Sequence, residues 1–159
     1  MVKKLLVGIV FLGISLHIFG QTEEEFNQII DFDVTIRSLA IAASGEDMES
    51  LPDRLVLIDG TVVSRLVIDA NADTYVGQIE LIGGEWIGVE EVVMYRCFLL
   101  LEGPKFANAI PARRSRTKHP DEIDLNSRIL VVGSLLGLFD MEDGTTVAVL
   151  DAIHVRQMD

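Results

Sequence analysis

From Leu55 onward the chain is a succession of runs dense in Val, Leu and Ile, separated by turn residues, and no amphipathic helical stretch interrupts them. This restricts it to sheet-built architectures, because several strands at short spacing bury their apolar faces by closing into a sandwich or a barrel. Leu55 to Ile68 is broken only by Asp59-Gly60. It reads either as two short strands joined by a tight turn or as one long strand bent at a glycine bulge, and the second reading leads to a barrel. Tyr75 to Ile87, broken at Gly83-Gly84, and Val92 to Leu101 supply the next two strands. Arg128 to Phe139 and Thr145 to Val155 flank Asp140 to Gly144 as a hairpin. Between these sets lies the longest irregular stretch, Glu102 to Ser127, with Pro104, Pro111 and Pro120. Ahead of them, Ile30, Phe32, Val34 and Ile36 alternate with Asp31, Asp33, Thr35 and Arg37, the period of a half-buried strand. Ser38 to Ala43 has room for a turn or two of helix, and Ser44 to Asp53 reads as a loop.

The N-terminus carries a different signal. Lys3 and Lys4 precede an uncharged apolar run, Leu5 to Phe19, that ends at the small residue Gly20. That is the pattern of a secretory signal peptide, and the run falls short of the roughly 20 residues of a comfortable membrane span. The expected organisation is a leader over 1–20, an N-terminal extension with one strand or short helix over 21–54, and a single β-barrel domain over 55–159. The expected location is the periplasm or cell envelope, with membrane attachment only if the leader is retained. The one cysteine, Cys97, sits inside a strand segment and has no partner for an internal disulfide, so it is expected to be a small buried hydrophobe. A formal charge of −12 argues against a protein that tracks phosphates, whose affinity comes from Lys and Arg displacing counterions. Nucleic acid is therefore not expected as a partner.

The segment Leu55-Val56-Leu57-Ile58-Asp59-Gly60-Thr61-Val62-Val63 is similar to the first strand of the oligonucleotide/oligosaccharide-binding (OB) fold, in which a glycine lets one strand serve both halves of the barrel. Ile129 to Leu135, with Gly133 at its centre, resembles the fourth strand. Over about Leu55 to Val155 the chain thus resembles small exported bacterial OB-fold proteins. The resemblance implies an all-β, five-stranded barrel with an additional N-terminal element. It also implies binding on the face of the second and third strands and on two loops, here Asp69 to Asp73 and Asp140 to Gly144.

Four groups of residues are candidates for chemistry. Asp69, Asn71 and Asp73, with Glu80 further on, have the oxygen-donor spacing of an EF-hand-like loop, with calcium as the candidate cofactor, although Thr74 stands where the loop's glycine belongs. Asp140, Glu142 and Asp143 are expected to approach the same end of the barrel. Arg113, Arg114, Arg116 and Lys118 form a basic cluster suited to an anionic partner. Tyr75, Trp86 and Tyr95 are candidates for stacking on a ligand, set against their more ordinary use in packing. His119 and His154 lie in no triad or zinc pattern, and no phosphate-loop pattern is present. The expected function is an exported, non-catalytic binding module of the cell envelope with an unidentified protein or small-ligand partner. An envelope enzyme or glycan-processing protein with an acidic site, or a membrane-tethered accessory protein, are the alternatives.

Overall fold

A computed structural model of the chain describes residues 23–45, 48–88, 91–111 and 117–158, so the expected leader lies outside the described residues. β2 (Leu55–Asp69) settles the two readings of the first apolar run: it is one continuous strand of 15 residues. Its first half, Val56 to Thr61, pairs antiparallel with β5 (Arg128–Asp140), and its second half, from Thr61 on, pairs with β3 (Val76–Ile87). Gly60 sits at this changeover. A Cβ there would stand 2.5 Å from the Ile36 Cδ1 and 3.0 Å from the Ile82 carbonyl oxygen, so a side chain would have to displace the end of Ile36 and crowd the neighbouring backbone.

β3 pairs along its whole length with β4 (Glu91–Glu102), Gly83 and Gly84 lying opposite Tyr95 and Met94. The expected break at these glycines is not a break, because the partner strand holds the backbone extended through them. β4 pairs in parallel with β6 (Thr146–Gln157) over Cys97 to Leu100, and β6 pairs antiparallel with β5. The sheet thereby closes through β2, β3, β4, β6, β5 and back to β2. This five-stranded ring is the OB barrel that the glycine-bearing strands implied.

The N-terminal element is more helical than the alternation of Ile30 to Ile36 predicts. α1 (Glu23–Ile29) leads into β1 (Ile30–Asp31), two residues that pair in parallel with Leu55 and Val56 and are pinned by an Arg54–Asp31 ion pair at 2.6 Å. The chain then turns into α2 (Ile36–Ala43). Thr35 and Ser38 form a capping box: the Ser38 amide donates to the Thr35 hydroxyl oxygen at 3.1 Å, and the Thr35 amide donates to the Ser38 hydroxyl oxygen at 2.8 Å. Ile36, Leu39 and Ala43, at helical spacing, all enter the core.

The barrel interior is filled by Val56, Ile58, Val62, Ile79, Leu81, Leu99, Leu101, Ile129, Val131 and Leu150. Ile36 of α2, packed against Gly60 and Gly83, closes one end. Tyr75, Phe106, Ile110 and Ile123 close the other, where the Tyr75 hydroxyl donates to the Ile110 carbonyl at 3.1 Å. Phe106, Ile110 and Ile123 come from the irregular stretch after β4, which contains a 3-10 turn at Pro104–Phe106. Cys97 is fully buried, and desolvation pushes its thiol up to about 12, so it is the inert hydrophobe expected.

Candidate ligand-binding face

On β3 and β4 the residues alternate between the two sides of the wall. Ile79, Leu81, Cys97, Leu99 and Leu101 are buried inward, which turns their neighbours outward. The outward cross-strand pairs are Glu80 with Phe98, Ile82 with Arg96, Gly84 with Met94, and Trp86 with Val92. Trp86 is 69 % exposed, and Met94 and Val92 are exposed beside it. Gly84 keeps this end of the hairpin thin: a Cβ there would touch the Met94 sulfur at 3.2 Å and Val92 Cγ1 at 3.5 Å. Further along the face, Phe98 meets Phe139 of β5 edge-to-face, with ring centroids 6.2 Å apart, and Phe139 remains half exposed. Arg96 follows Met94 and precedes Phe98 on this face, its Nη1 3.9 Å from a Glu80 carboxylate oxygen. Beside Arg96 a cleft of about 400 Å³ runs between Ala40 and Ser44 of the α2 end and the Thr145–Val147 backbone.

Of the three aromatics proposed for stacking, the structure leaves one available. Tyr75 is in the core and Tyr95 packs against it, whereas Trp86 faces solvent. Strand parity carries this distinction: counting by twos from Ile79 and Leu81 places Trp86 on the opposite side, and counting back from Leu99 and Cys97 places Tyr95 inside. Phe98 and Phe139 escaped the sequence reading because their meeting depends on β5 and β4 both flanking β6, which no local pattern encodes.

The acidic loop is folded upon itself. The Asp69 carboxylate accepts from the Asn71 amide at 2.9 Å and the Thr74 hydroxyl at 2.6 Å, and the Asn71 side chain accepts from the Asp73 amide at 3.1 Å. The Thr74 hydroxyl, then the Asn71 amide, hold the Asp69 carboxyl below its ordinary value. Glu80 does not join them, because the strand after the loop carries it up the wall to a position opposite Ser64 and beside Arg96. The other acidic loop is at the opposite end: Asp69 pairs with Val76, which faces Glu102, whereas Asp140 pairs with Thr146, which precedes the β6 residues beside Cys97. Among the described residues, no three His, Cys, Asp or Glu side chains are grouped to hold a metal ion. Asp143 instead borders the aromatic face; the Thr145 hydroxyl and amide hold its carboxyl below its ordinary value, with a smaller contribution from the Arg96 charge. Arg113, Arg114 and Arg116 lie outside the described residues. Lys118, the fourth member of that cluster, is paired with Asp124.

No family model and no curated relative matches the chain. Solved structures do match. A small single-stranded DNA-binding protein from Streptomyces coelicolor is 14% identical, with 69% of this chain and 96% of that one aligned at a TM-score of 0.43. The Plasmodium falciparum SSB in complex with ssDNA is 13% identical over 66% of this chain and 94% of its own, with a TM-score of 0.45. PriB from Ralstonia solanacearum is 15% identical over 66% and 97%, with a TM-score of 0.41. The likeness is one of fold.

The expectation of an exported, periplasmic envelope module is corrected to this extent: none of these matched structures bears the name of an envelope protein. The Streptomyces structure bears the name of a single-stranded DNA-binding protein, and the Plasmodium one that of an SSB in complex with ssDNA. They also correct the exclusion of nucleic acid as a partner. The physical reason is that net charge is a sum over the chain, whereas binding is decided on one face, and stacking needs exposed rings rather than cations. No helix among the described residues is long and apolar enough to cross a membrane.

Proposed function

We propose that this chain is a non-catalytic module that binds single-stranded nucleic acid by base stacking on the outer face of β3 and β4. The observation that carries the reading is Trp86, an indole 69 % exposed on the wall of a barrel whose other large apolar side chains include a fully packed interior. Leaving such a ring in water forgoes the burial energy it would gain inside, and an exposed ring on a binding face is what a base needs. Met94, Arg96 and Phe139 extend the same exposed surface, with Phe98 buried against the Phe139 ring. Single-stranded DNA is the ligand named for the Streptomyces and Plasmodium proteins, and it supplies the class of polymer to test.

Electrostatics set the character of this binding. Glu80 lies on the face and Asp143 at its border, so Arg96 is not free to collect phosphates. Affinity should come from the rings, at about 1–3 kcal/mol per stacked base, with a salt slope smaller than that of about one phosphate contact. The chain has a single tryptophan, so its fluorescence reports directly on the site. Titration with oligodeoxythymidylate should quench it saturably. With a dye-labelled oligonucleotide, Trp86→Ala should weaken binding by about ten- to a hundredfold while leaving the fold intact. Unchanged tryptophan emission at saturating oligonucleotide, or equal affinity of the variant, would overturn the proposal.

A further inference from the structure

On the β6 side of the barrel the wall is incomplete. β4 pairs with β6 only as far as Leu100 and Asp151, whereas β6 continues to Gln157, so its last stretch has β5 on one side and, among the described residues, no strand on the other. A groove of about 700 Å³ occupies the vacant side, and all five residues from Ile153 to Gln157 line it. The groove therefore runs along the strand rather than across it. Its opposite wall is built by the Pro104–Phe106 turn, Ala109 and the Pro120 to Ile123 segment.

One contact shows what the open edge is suited to. The Lys105 ammonium donates to the Ile153 carbonyl at 3.0 Å, which places a cation on the edge itself. An ammonium has three donors, so Lys105 retains two beyond this bond. Arg156 also lines the groove and makes no ion pair among the described residues. The acids at the rim are turned to other partners: Glu122 lies 3.9 Å from Arg65, and Asp121 lies 3.5 Å from His119. A half-exposed Ile153 and the buried Phe106 supply apolar surface between the cations.

We propose that this groove is a docking site for an extended acidic peptide segment of another protein, which adds as a strand to the free edge of β6. Past the register shift at Ile153, an unpaired edge offers backbone donors and acceptors at strand spacing, which only a polypeptide matches, and alternate side chains supply specificity. Five residues in that conformation span about 17 Å. Carboxylates at alternate positions would face Lys105 and Arg156, while apolar side chains between them would meet Ile153 and Phe106. A phosphate polymer would gain nothing from the strand edge, because it has no alternating backbone donors and acceptors to pair with it.

The probe is a capped heptapeptide alternating glutamate and valine, added to the ¹⁵N-labelled full chain. Amide shifts should concentrate at Ile153 to Gln157 and in the facing Pro120 to Ile123 segment. The same peptide with lysine for glutamate should bind at least about tenfold more weakly, and Lys105→Glu/Arg156→Glu should lose a similar factor for the acidic peptide. Arg156→Ala is the milder companion, expected to lose several-fold with an otherwise unchanged spectrum, should the double variant fail to fold. Shifts that are absent at millimolar peptide, fall elsewhere, or persist equally in Arg156→Ala would overturn the proposal. So would oligodeoxythymidylate shifting these amides when the peptide does not.

Discussion

Gly133 of β5 crosses β6 so closely that a Cβ would lie 2.5 Å from the Asp151 carbonyl oxygen and 3.3 Å from its carbon. Backbone atoms held on both sides by ladder hydrogen bonds cannot step aside as a side-chain end can. Gly133→Ala should therefore destabilise the barrel by about 1–3 kcal/mol, read as a lower urea midpoint at unchanged slope. Gly137, on the same strand with nothing within 4 Å of its would-be Cβ, is the control: its alanine variant should be close to neutral. A central glycine in an apolar run was legible in Ile129 to Leu135, but what it approaches was not, because Asp151 arrives from another strand. Cys97 was legible for the converse reason, since its immediate neighbours already mark it as strand interior. The acidic loop was half legible: its Asx turns follow from Asp69, Asn71 and Asp73, whereas the departure of Glu80 depends on where β3 runs.

At the scale of elements, α2 shows two readings competing over the same residues. Ile30 to Ile36 alternates as a strand does, yet only Ile30 and Asp31 find a partner, and from Thr35 the capping box turns the chain into a helix. The helical signal was present in Ile36, Leu39 and Ala43 but overlapped the end of the alternating one. Local hydrogen bonding decides between them, so Thr35→Ala should cost about 1 kcal/mol, and Thr35→Ser should restore most of it. Thermal unfolding of the two variants beside the native chain measures the difference. β2 was legible as apolar but ambiguous between a hairpin and a bent strand, because Asp59-Gly60 suits both. The choice was made by β5, which pairs with Val56 to Thr61 and leaves no turn there.

For the molecule as a whole, the excess of acid has a measurable signature. Asp69, Asp124 and Asp143 are each held below the ordinary carboxylate value, by the Thr74 hydroxyl, the Lys118 ammonium and the Thr145 hydroxyl respectively. A depressed value means that folding favours the charged form. The stability this gives is present above the ordinary value of about 3.9 and disappears as pH falls through the lower folded values. The melting temperature should hold steady from about pH 7 to about pH 5 and drop below about pH 4, and Thr74→Val should make the drop shallower by releasing Asp69. A melting temperature that rises on acidification would contradict this assignment. The same acidity misdirected the reading of partners, since a total of −12 does not reveal that Trp86, Met94 and Phe139 share one uncovered face. The double pairing of β2 also imposes an order in time. Val56 to Thr61 waits for Arg128 to Gly133, so a nascent chain emerging from the ribosome carries half of its first long strand bare until the final hairpin arrives. Such distant closure slows folding and lengthens the interval in which that half-strand is open to aggregation.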